Sequence, residues 1–347
     1  MPSFFDNIIG TFSDFLSRIG AITGTPNTFY HRLLTVHILE MEDVLFHLDS
    51  AVMMPATPQG SSSSDGTGDD ATDAGTQQQQ NQVSGLAALA ICFKQFEFDP
   101  NKRLLIAGHT DTSGQAKMNF ELSAQRAQNI QFLLEGDREQ WATISEKRHR
   151  IEDYQQIMKF IKLSTRWGWD CDPIQVDNTW GDNTKGATER FIAAYNNWVL
   201  AGLAPAGSLQ LPPDVFNRIK NSGTHKWPIE MWRAVYDIYN DEIAANLGVT
   251  RDNMGRYRSL LAFADDLKKM VACGESFPLD NAGRDNYKSQ LNRRVEILFF
   301  DQAEIPVLNC PTQTNAIHTP AECPLWHKWH FSAVYIDPND LNAVAYH

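Results

Sequence analysis

The amino-acid sequence predicts an α/β sandwich that is interrupted by a large, all-α insertion. Two observations support this fold class. Short apolar runs that suit buried strands alternate with segments whose apolar residues recur every three or four positions, as on one face of a helix. Residues 135–265 then separate the early strands from two later ones, and this part of the chain has helical rather than strand-like periodicity.

The N-terminal residues 1–34 predict an amphipathic helix and a linker. Aromatic and aliphatic residues, among them Phe4, Ile8 and Phe12, recur at helical spacing and form a wide apolar face. Two interpretations stay open for this face, packing on its own domain or docking to another protein subunit. Membrane docking is less favoured, because the polar face lacks the usual Lys and Arg.

The next elements follow in order along the chain. Val36, Ile38, Val44, Phe46 and Leu48 predict one or two extended stretches. Residues 58–83 consist mainly of Ser, Gly, Asp and Gln, which bury too little apolar surface to fold, so they predict a disordered loop. The remaining predicted elements are helices at 85–96 and 122–134, a polar loop at 109–119, and strands at 103–108, 269–273 and 294–300.

Composition and charge exclude several functions. The formal net charge of -12 argues against a nucleic-acid-binding protein, which needs a basic face to replace phosphate counterions. No apolar run approaches the ~20 residues of a membrane helix, so no transmembrane segment is expected. The N-terminus has neither the basic leader nor the small-residue cleavage site of a signal peptide. The protein is therefore expected to stay in the cytoplasm or to be exported without a cleaved leader.

The polar loop and the second helix carry the motif on which the functional prediction depends. It consists of Thr110-Asp111, Gly114, Asn119, Leu122-Ser123 and Arg126-Ala127. This pattern resembles the OmpA-like domain of outer-membrane proteins, peptidoglycan-associated lipoproteins and flagellar stators, in which T-D-x-x-G is followed by Asn and then by L-S-x-x-R-A. Residues 43–55 resemble the first strand and turn of that family, and residues 273–278 and 292–297 resemble its last loop and last strand.

The resemblance implies an OmpA-like domain at 35–134 plus 266–303, with the stretch 58–83 inside it. It also implies a ligand, the diaminopimelate of the peptidoglycan stem peptide, whose side chain ends in an ammonium and a carboxylate. Asp111 would accept from the ammonium, and Arg126 would hold the carboxylate by two parallel hydrogen bonds. The family also places Asn119 and Arg293 at the ligand and Asp49 at the pocket rim. The alternative is a structural ion pair between Asp111 and Arg126.

The insertion at 135–265 departs from the usual family pattern and contains a second resemblance. Residues at about 150–200 look like a peptidoglycan-binding-domain-type helical module. The matching positions are Tyr154-Gln155, Val176-Asp177-Asn178, Trp180-Gly181, Thr184, Ala187 and Phe191. Thr184 is expected to cap a helix. Asn178 replaces the usual Gly, and Asn, like Gly, tolerates a left-handed backbone. Trp180 and Trp169 are candidates for a second wall contact, and the alternative is a helical core.

The C-terminal extension, residues 304–347, raises a question about metal binding. Cys310, His318, Cys323 and His327 have a spacing that allows zinc ligands, but no paired C-x2-C knuckle is present. The simpler interpretations are a disulfide between Cys310 and Cys323 or two free thiols. Neither a metal nor a cofactor is therefore predicted.

Together these patterns predict a non-catalytic peptidoglycan binder that anchors itself, or its assembly, to the wall of the bacterial cell envelope. One alternative is a component of a secretion or contractile injection machine. Another is the targeting part of a wall hydrolase, although no G-x-S-x-G or H-E-x-x-H motif is present. Glu230, Asp241 and Glu242 are the carboxylates that could serve a glycosidase.

Overall fold

The computed structural model describes residues 29–31, 34–41, 46–55, 84–275, 284–289, 292–302 and 305. The predicted N-terminal helix, the low-complexity stretch at 58–83 and the tail with Cys310, His318, Cys323 and His327 lie outside these residues. The described chain is mixed α/β and contains eight α-helices and five strands. None of the described helices has the length and apolar character needed to cross a bilayer.

The chain divides into two compact units. The first comprises the described parts of residues 1–41, 91–124 and 259–347, and the second those of 42–90 and 125–258. The second unit therefore contains segment 46–55, residues 84–90 and the C-terminal part of the second helix together with the helical insertion. Within this unit, Arg126 and Asn129 bind backbone groups of His47, Ser50 and Met53.

The first unit is built on a mixed sheet. Its strands are β1 (Phe29–His31), β2 (Leu34–Met41), β3 (Arg103–His109), β4 (Met270–Gly274) and β5 (Val295–Phe300). Their order is β1-β2-β5-β3-β4. Strand β5 is antiparallel to both β2 and β3, and β4 is parallel to β3. A parallel pair needs a crossover connection, and here that connection includes the whole helical insertion.

Strands β3 and β5 form the apolar centre of this sheet. Ile106 on β3 is in register with Ile297 on β5 and with Met270 on β4, and all three side chains are buried. Buried strands of this kind are nearly continuous apolar runs, and the predicted strands at 103–108, 269–273 and 294–300 are confirmed to within one residue at either end. Phe96 of helix α1 (Gly85–Phe98) packs against Phe299, with ring centroids 5.9 Å apart.

Two local predictions were wrong. Residues 43–55 were expected to form the first strand and its turn, but their described part, 46–55, contains no strand, and β2 ends at Met41. Their apolar side chains are buried as an irregular segment, so apolar content there signals burial and not pairing. Helix α2 (Ala116–Glu135) begins six residues before its expected start at 122, because residues 116–119, which were expected to belong to the polar loop, form its first turn.

Helices make up most of the second unit. They are the C-terminal part of α2, followed by α3 (Arg138–Lys147), α4 (Ile151–Leu163), α5 (Asp182–Leu200), α6 (Val215–Asn221), α7 (Ile229–Asn246) and α8 (Met254–Leu260). The last two residues of α8 belong to the first unit. Helix α7 is buried on most of its circumference, as expected of a central helix. Trp141 of α3 contacts the rings of Trp232, Tyr236 and Tyr239 on α7 at centroid distances of 5.5–6.1 Å. The helical character predicted for the insertion is therefore confirmed.

A buried carboxylate ties segment 46–55 to this helical unit. Asp153 is fully buried and accepts hydrogen bonds from Ser50 Oγ at 2.7 Å and from the backbone N–H of Arg150 at 2.6 Å, and it lies 2.7 Å from His47 Nδ1. Tyr239 donates its hydroxyl to the Met53 carbonyl at 2.8 Å. These contacts give an irregular segment the partners that its polar groups need in a protein interior.

Candidate functional site

The loop that follows β3 is folded around the Asp111 carboxylate. Oδ1 accepts from the backbone N–H and the hydroxyl of Ser113, at 3.1 and 2.5 Å. Gly114 then turns the chain into α2 with φ of +98°, a backbone conformation that other residues rarely adopt. The Asp and Gly of the T-D-x-x-G motif therefore have distinct local roles, the Asp as an acceptor for the turn and the Gly at its tightest point.

The second Asp111 oxygen binds the segment that leads into β5. Oδ2 lies 2.6 Å from Arg293 Nη1 and accepts from the Ser289 backbone N–H at 3.2 Å. The Asp111 and Arg293 side chains are 4% and 12% exposed, so this is a mostly buried ion pair. Charge-assisted hydrogen bonds of this length are strong in a dry setting. The structure thus brings together two of the predicted ligand residues, Asp111 and Arg293.

Asn119, a third predicted ligand residue, fastens the same loop to helix α2. Its side-chain amide donates to the carbonyls of Asp111 and Ser113, at 3.2 and 2.9 Å, and to Glu275 Oε1 at 2.7 Å. Asn119 is buried, and Glu275 is half-buried at the end of β4. Sequence reasoning did not assign Glu275 a role, although it falls in the block at 273–278 that resembles the family's last loop.

Two further contacts explain other motif positions in the first unit. Ser123 of the L-S pair accepts from the Gly274 backbone N–H at 2.9 Å and so joins α2 to the end of β4. Gly274 has φ of +55°, and an added Cβ would lie 3.4 Å from the backbone of Phe120. On the other side of the loop, Thr112 Oγ1 donates to the Arg284 carbonyl and accepts from the Tyr287 N–H. The loop is therefore bound to three separate chain segments.

One polar group of the loop lacks a partner. Thr110 is buried, and its Oγ1 makes no hydrogen bond to any part of the chain that the structure describes. A buried hydroxyl without a partner costs about 1–3 kcal/mol. A bound ligand or water would supply the missing bond.

Arg126 belongs to the second unit, whereas Asp111 belongs to the first. The Arg126 guanidinium is fully buried, with Nε donating to the Ser50 carbonyl at 2.9 Å and Nη2 to the His47 carbonyl at 3.1 Å. It also lies over the Phe46 ring at 5.2 Å. Arg126 thus orders the segment at 46–50, and its predicted contact with a ligand carboxylate stays a prediction.

Asp49, the predicted rim residue, is exposed in the same segment. It lies in a turn closed by the Ser50 N–H and the His47 carbonyl at 3.0 Å, and its φ of +56° is left-handed. Asp tolerates this conformation better than most residues. Its carboxylate is therefore displayed by the turn that Arg126 supports.

The helical module is organised by one buried amide. Gln155 Oε1 accepts from the backbone N–H groups of Asp177 and Asn178, both at 3.0 Å, while Nε2 donates to Asp177 Oδ1 and to Thr184 Oγ1. Asn178 has φ of +57°, which confirms the expected left-handed backbone. The expectation that Thr184 caps the helix was wrong, because Gly181 is the capping residue and the Thr184 hydroxyl donates to the Thr179 carbonyl.

The two tryptophans predicted as wall contacts are both half-buried. The Trp180 ring stacks on His225 with a centroid separation of 5.3 Å, and Trp169 packs edge-on against Trp167 and Trp198. Packing within the helical unit therefore covers part of the surface of each ring. Within the described residues, Trp180 Nε1 is buried and has no hydrogen-bond partner.

The electrostatics of the sheet centre on Glu296. Burial alone would raise the pKa of this carboxyl, but Arg294, whose Nε lies 2.6 Å away, and His109 outweigh that effect and hold the pKa well below its usual range. His109 itself is buried at the end of β3.

The carboxylates considered for a hydrolase each have partners. Glu230 pairs with Arg218, Asp241 with Arg166 and Arg251, and Glu242 accepts from Trp167 Nε1 at 3.0 Å. Burial raises the pKa of Glu242. Across the residues that the structure covers, no group of three or more His, Cys, Asp or Glu could hold a metal ion. The described cysteines, Cys92, Cys171 and Cys273, are buried.

Searches against models of protein families, curated proteins and solved structures found no match to this chain.

Proposed function

We propose that this protein binds peptidoglycan without catalysis and so anchors itself, or an assembly that contains it, to the bacterial cell wall. The observation that carries the proposal is the Asp111–Arg293 pair, an acid and a guanidinium whose charged atoms lie 2.6 Å apart at the T-D-x-x-G loop. A zwitterion such as the end of the diaminopimelate side chain has the complementary pair of charges. Its ammonium would bind Asp111 and its carboxylate Arg293, replacing one ion pair by two.

The surroundings of the pair support this assignment. Asn119, Ser113 and Ser289 fix the loop through hydrogen bonds, so the acid and the guanidinium are pre-organised for a ligand. Thr110 adds a buried hydroxyl that needs a partner. An exchange of partners also limits the cost of binding, because each charge keeps an opposite charge throughout.

The finer fold assignment is part of the same proposal. We infer an OmpA-like sandwich because the described parts of the motif blocks fall at the end of β3, on the first half of α2, at the end of β4 and at the start of β5, and these three strands are neighbours in one sheet. The roles of Arg126, as a second guanidinium, and of Asp49, as a rim residue, stay predictions from the family pattern. Docking of other subunits through residues 1–20 completes the proposal.

The test is co-sedimentation of the full chain with purified peptidoglycan sacculi. Wild type is expected to pellet, whereas Asp111→Asn and Arg293→Lys are expected to lose about tenfold or more in affinity, because Lys cannot form the two-pronged contact. Arg126→Lys tests the second guanidinium separately. Asp170→Asn, an exposed acid in the helical unit, is the matched control and should pellet like wild type.

Two results would refute the proposal in different ways. Wild-type protein that stays in the supernatant would refute wall binding itself. Variants that all pellet like wild type would show that another surface binds the wall, with Trp169 and Trp180 as the next candidates. Release of soluble muropeptides from the sacculi would instead support a wall hydrolase.

A further inference from the structure

An open cavity of about 180 Å³ lies within the second unit, between α3, α7 and the turn that follows α5. A cavity of about 150 Å³ is large enough for benzene, so this one suits a molecule of about amino-acid size. Its lining is mainly polar and charged. The groups that matter for recognition are Arg138, Ser208, Tyr236, Asp237, Asn240 and Arg258.

One of the two arginines in the lining is neutralised. Asp237 is buried and takes two parallel hydrogen bonds from Arg138, at 2.7 and 2.8 Å. Its Oδ2 also accepts from Tyr195 at 2.6 Å and Ser208 at 2.8 Å. With four hydrogen bonds, this carboxylate is satisfied without a ligand, and it offsets the charge of Arg138 only.

The other arginine, Arg258, has neutral partners. Nε donates to the Leu134 carbonyl at 3.2 Å and Nη2 to Asn240 Oδ1 at 2.6 Å. Across the residues that the structure covers, no carboxylate pairs with Arg258. The cavity lining thus contains two guanidinium groups and a single carboxylate, which leaves an excess positive charge. A half-buried guanidinium of this kind favours an anionic ligand.

A glycine makes room for Arg258. Gly136 has φ of +85°, and a Cβ added there would lie 2.6 Å from Arg258 Nε, which is too close for real atoms. The guanidinium therefore lies directly against the backbone at the start of α3. Its two neutral acceptors, the Leu134 carbonyl and Asn240, hold this half-buried group at the cavity.

Tyr236 adds a second group that needs a partner. The side chain lines the cavity and is 4% exposed, and its hydroxyl has no hydrogen-bond partner within the described part of the chain. Burial raises the pKa of Tyr236 to about 12, so the hydroxyl is protonated at neutral pH and can donate. The Tyr236 hydroxyl and the Arg258 guanidinium favour the same kind of ligand, one with negatively charged oxygen atoms.

We propose that this cavity binds a small oxyanion-bearing molecule of about amino-acid size, whose carboxylate or phosphate group is held by Arg258 and Tyr236. Asn240 and Ser208 are the neutral polar groups available to the rest of the ligand. The site is independent of wall binding through Asp111, because none of its residues belongs to the loop after β3.

The experiment is a calorimetric titration of the full chain with three probes: N-acetylalanine, its uncharged methyl ester and inorganic phosphate. Binding of N-acetylalanine, phosphate or both at one site is expected, and the ester should not bind. Arg258→Lys keeps the charge but loses the planar fork, and about a tenfold or larger loss of affinity is expected. Arg233→Lys is the matched control, since Arg233 pairs with Glu139 on the surface, and it should bind like wild type.

Tyr236→Phe keeps the test valid if the arginine variant is poorly folded. It removes a hydroxyl that has no partner, so it should fold normally and still lose roughly fivefold or more in affinity. Selective binding of phosphate or of N-acetylalanine would identify which oxyanion the site prefers. Absence of binding by both anions, equal binding of the ester, or unchanged affinity in Arg258→Lys and Tyr236→Phe would overturn the proposal.

Discussion

Replacement of Asp111 by Asn is expected to loosen the loop after β3 without unfolding the second unit. Asn can keep one oxygen as the acceptor for Ser113, but its amide group then faces Arg293 and the Ser289 N–H, where the second carboxylate oxygen lay. The Arg293 guanidinium and the Ser289 N–H, both donors, would face the amide N–H groups of the new side chain. The positive charge of the mostly buried Arg293 would also lose its counterion. Removing one partner of such a pair costs about 3 kcal/mol or more.

Hydrogen exchange followed by NMR measures this loss locally, which matters because a chain of two units need not unfold in one step. A loss of about 3 kcal/mol corresponds to exchange that is roughly 100-fold faster at the Ser289 amide. The Ser113 amide, which retains an acceptor, should be affected less. The exposed control Asp170→Asn should leave both amides unchanged.

The reasoning would be refuted if exchange at Ser289 accelerated less than about tenfold, or if Ser113 responded more strongly than Ser289. Either outcome would mean that the Asp111–Arg293 pair does not fix the loop. It would also remove the pre-organisation on which the proposed ligand contact depends.

Three further predictions concern the helical unit. Gln155→Leu removes the acceptor of two backbone N–H groups. We expect urea unfolding to show that the free energy of unfolding of this unit falls by about 2–4 kcal/mol. A fall of less than about 1 kcal/mol would contradict the role of Gln155 as an organising residue. Tyr239→Phe loses the hydrogen bond to the Met53 carbonyl and should destabilise the unit by about 1 kcal/mol in thermal melts. Tyr236→Phe removes a hydroxyl without a partner in the described chain and should be neutral or stabilising. Equal losses of stability in the two variants would contradict this difference between the hydroxyl groups. Burial lowers the pKa of His149 to about 4, so the unfolded state binds the additional proton and stability should fall as the pH drops from 6.5 towards 4. This pH slope should flatten in His149→Gln, and an unchanged slope would show that other groups cause it.

The strands of the first unit could be predicted because each is a short apolar run with turn residues around it. Burial of β3 and β5 on both faces gives runs such as those around Ile106 and Ile297, which are hard to confuse with surface segments. Segment 46–55 carries the same apolar signal and yet is irregular. Its conformation depends on Arg126 and Asp153, which are distant in sequence, and local pattern contains no information about those partners.

The site was predicted in part for a similar reason. The motif identified Asp111, Asn119 and Arg293, and the structure brings these three into one hydrogen-bonded loop. The motif could not indicate that the partner of Asp111 is Arg293, because that pairing depends on the register of β5 beside β3. Tyr236 and Arg258 had no sequence signal at all, since a buried Tyr without a partner looks like any other aromatic residue on a helix.

The most direct measurement is a titration of isotopically labelled full-length protein with meso-diaminopimelate, followed by NMR at the amides of Ser113 and Ser289. Saturable shifts at both amides, lost in Asp111→Asn and weakened in Arg293→Lys, are the predicted result. Lysine, which has the same ammonium but no carboxylate beside it at the side-chain end, should shift these amides much less. No saturable shift at either amide, or equal shifts with lysine, would contradict recognition of a zwitterion by Asp111 and its guanidinium partner.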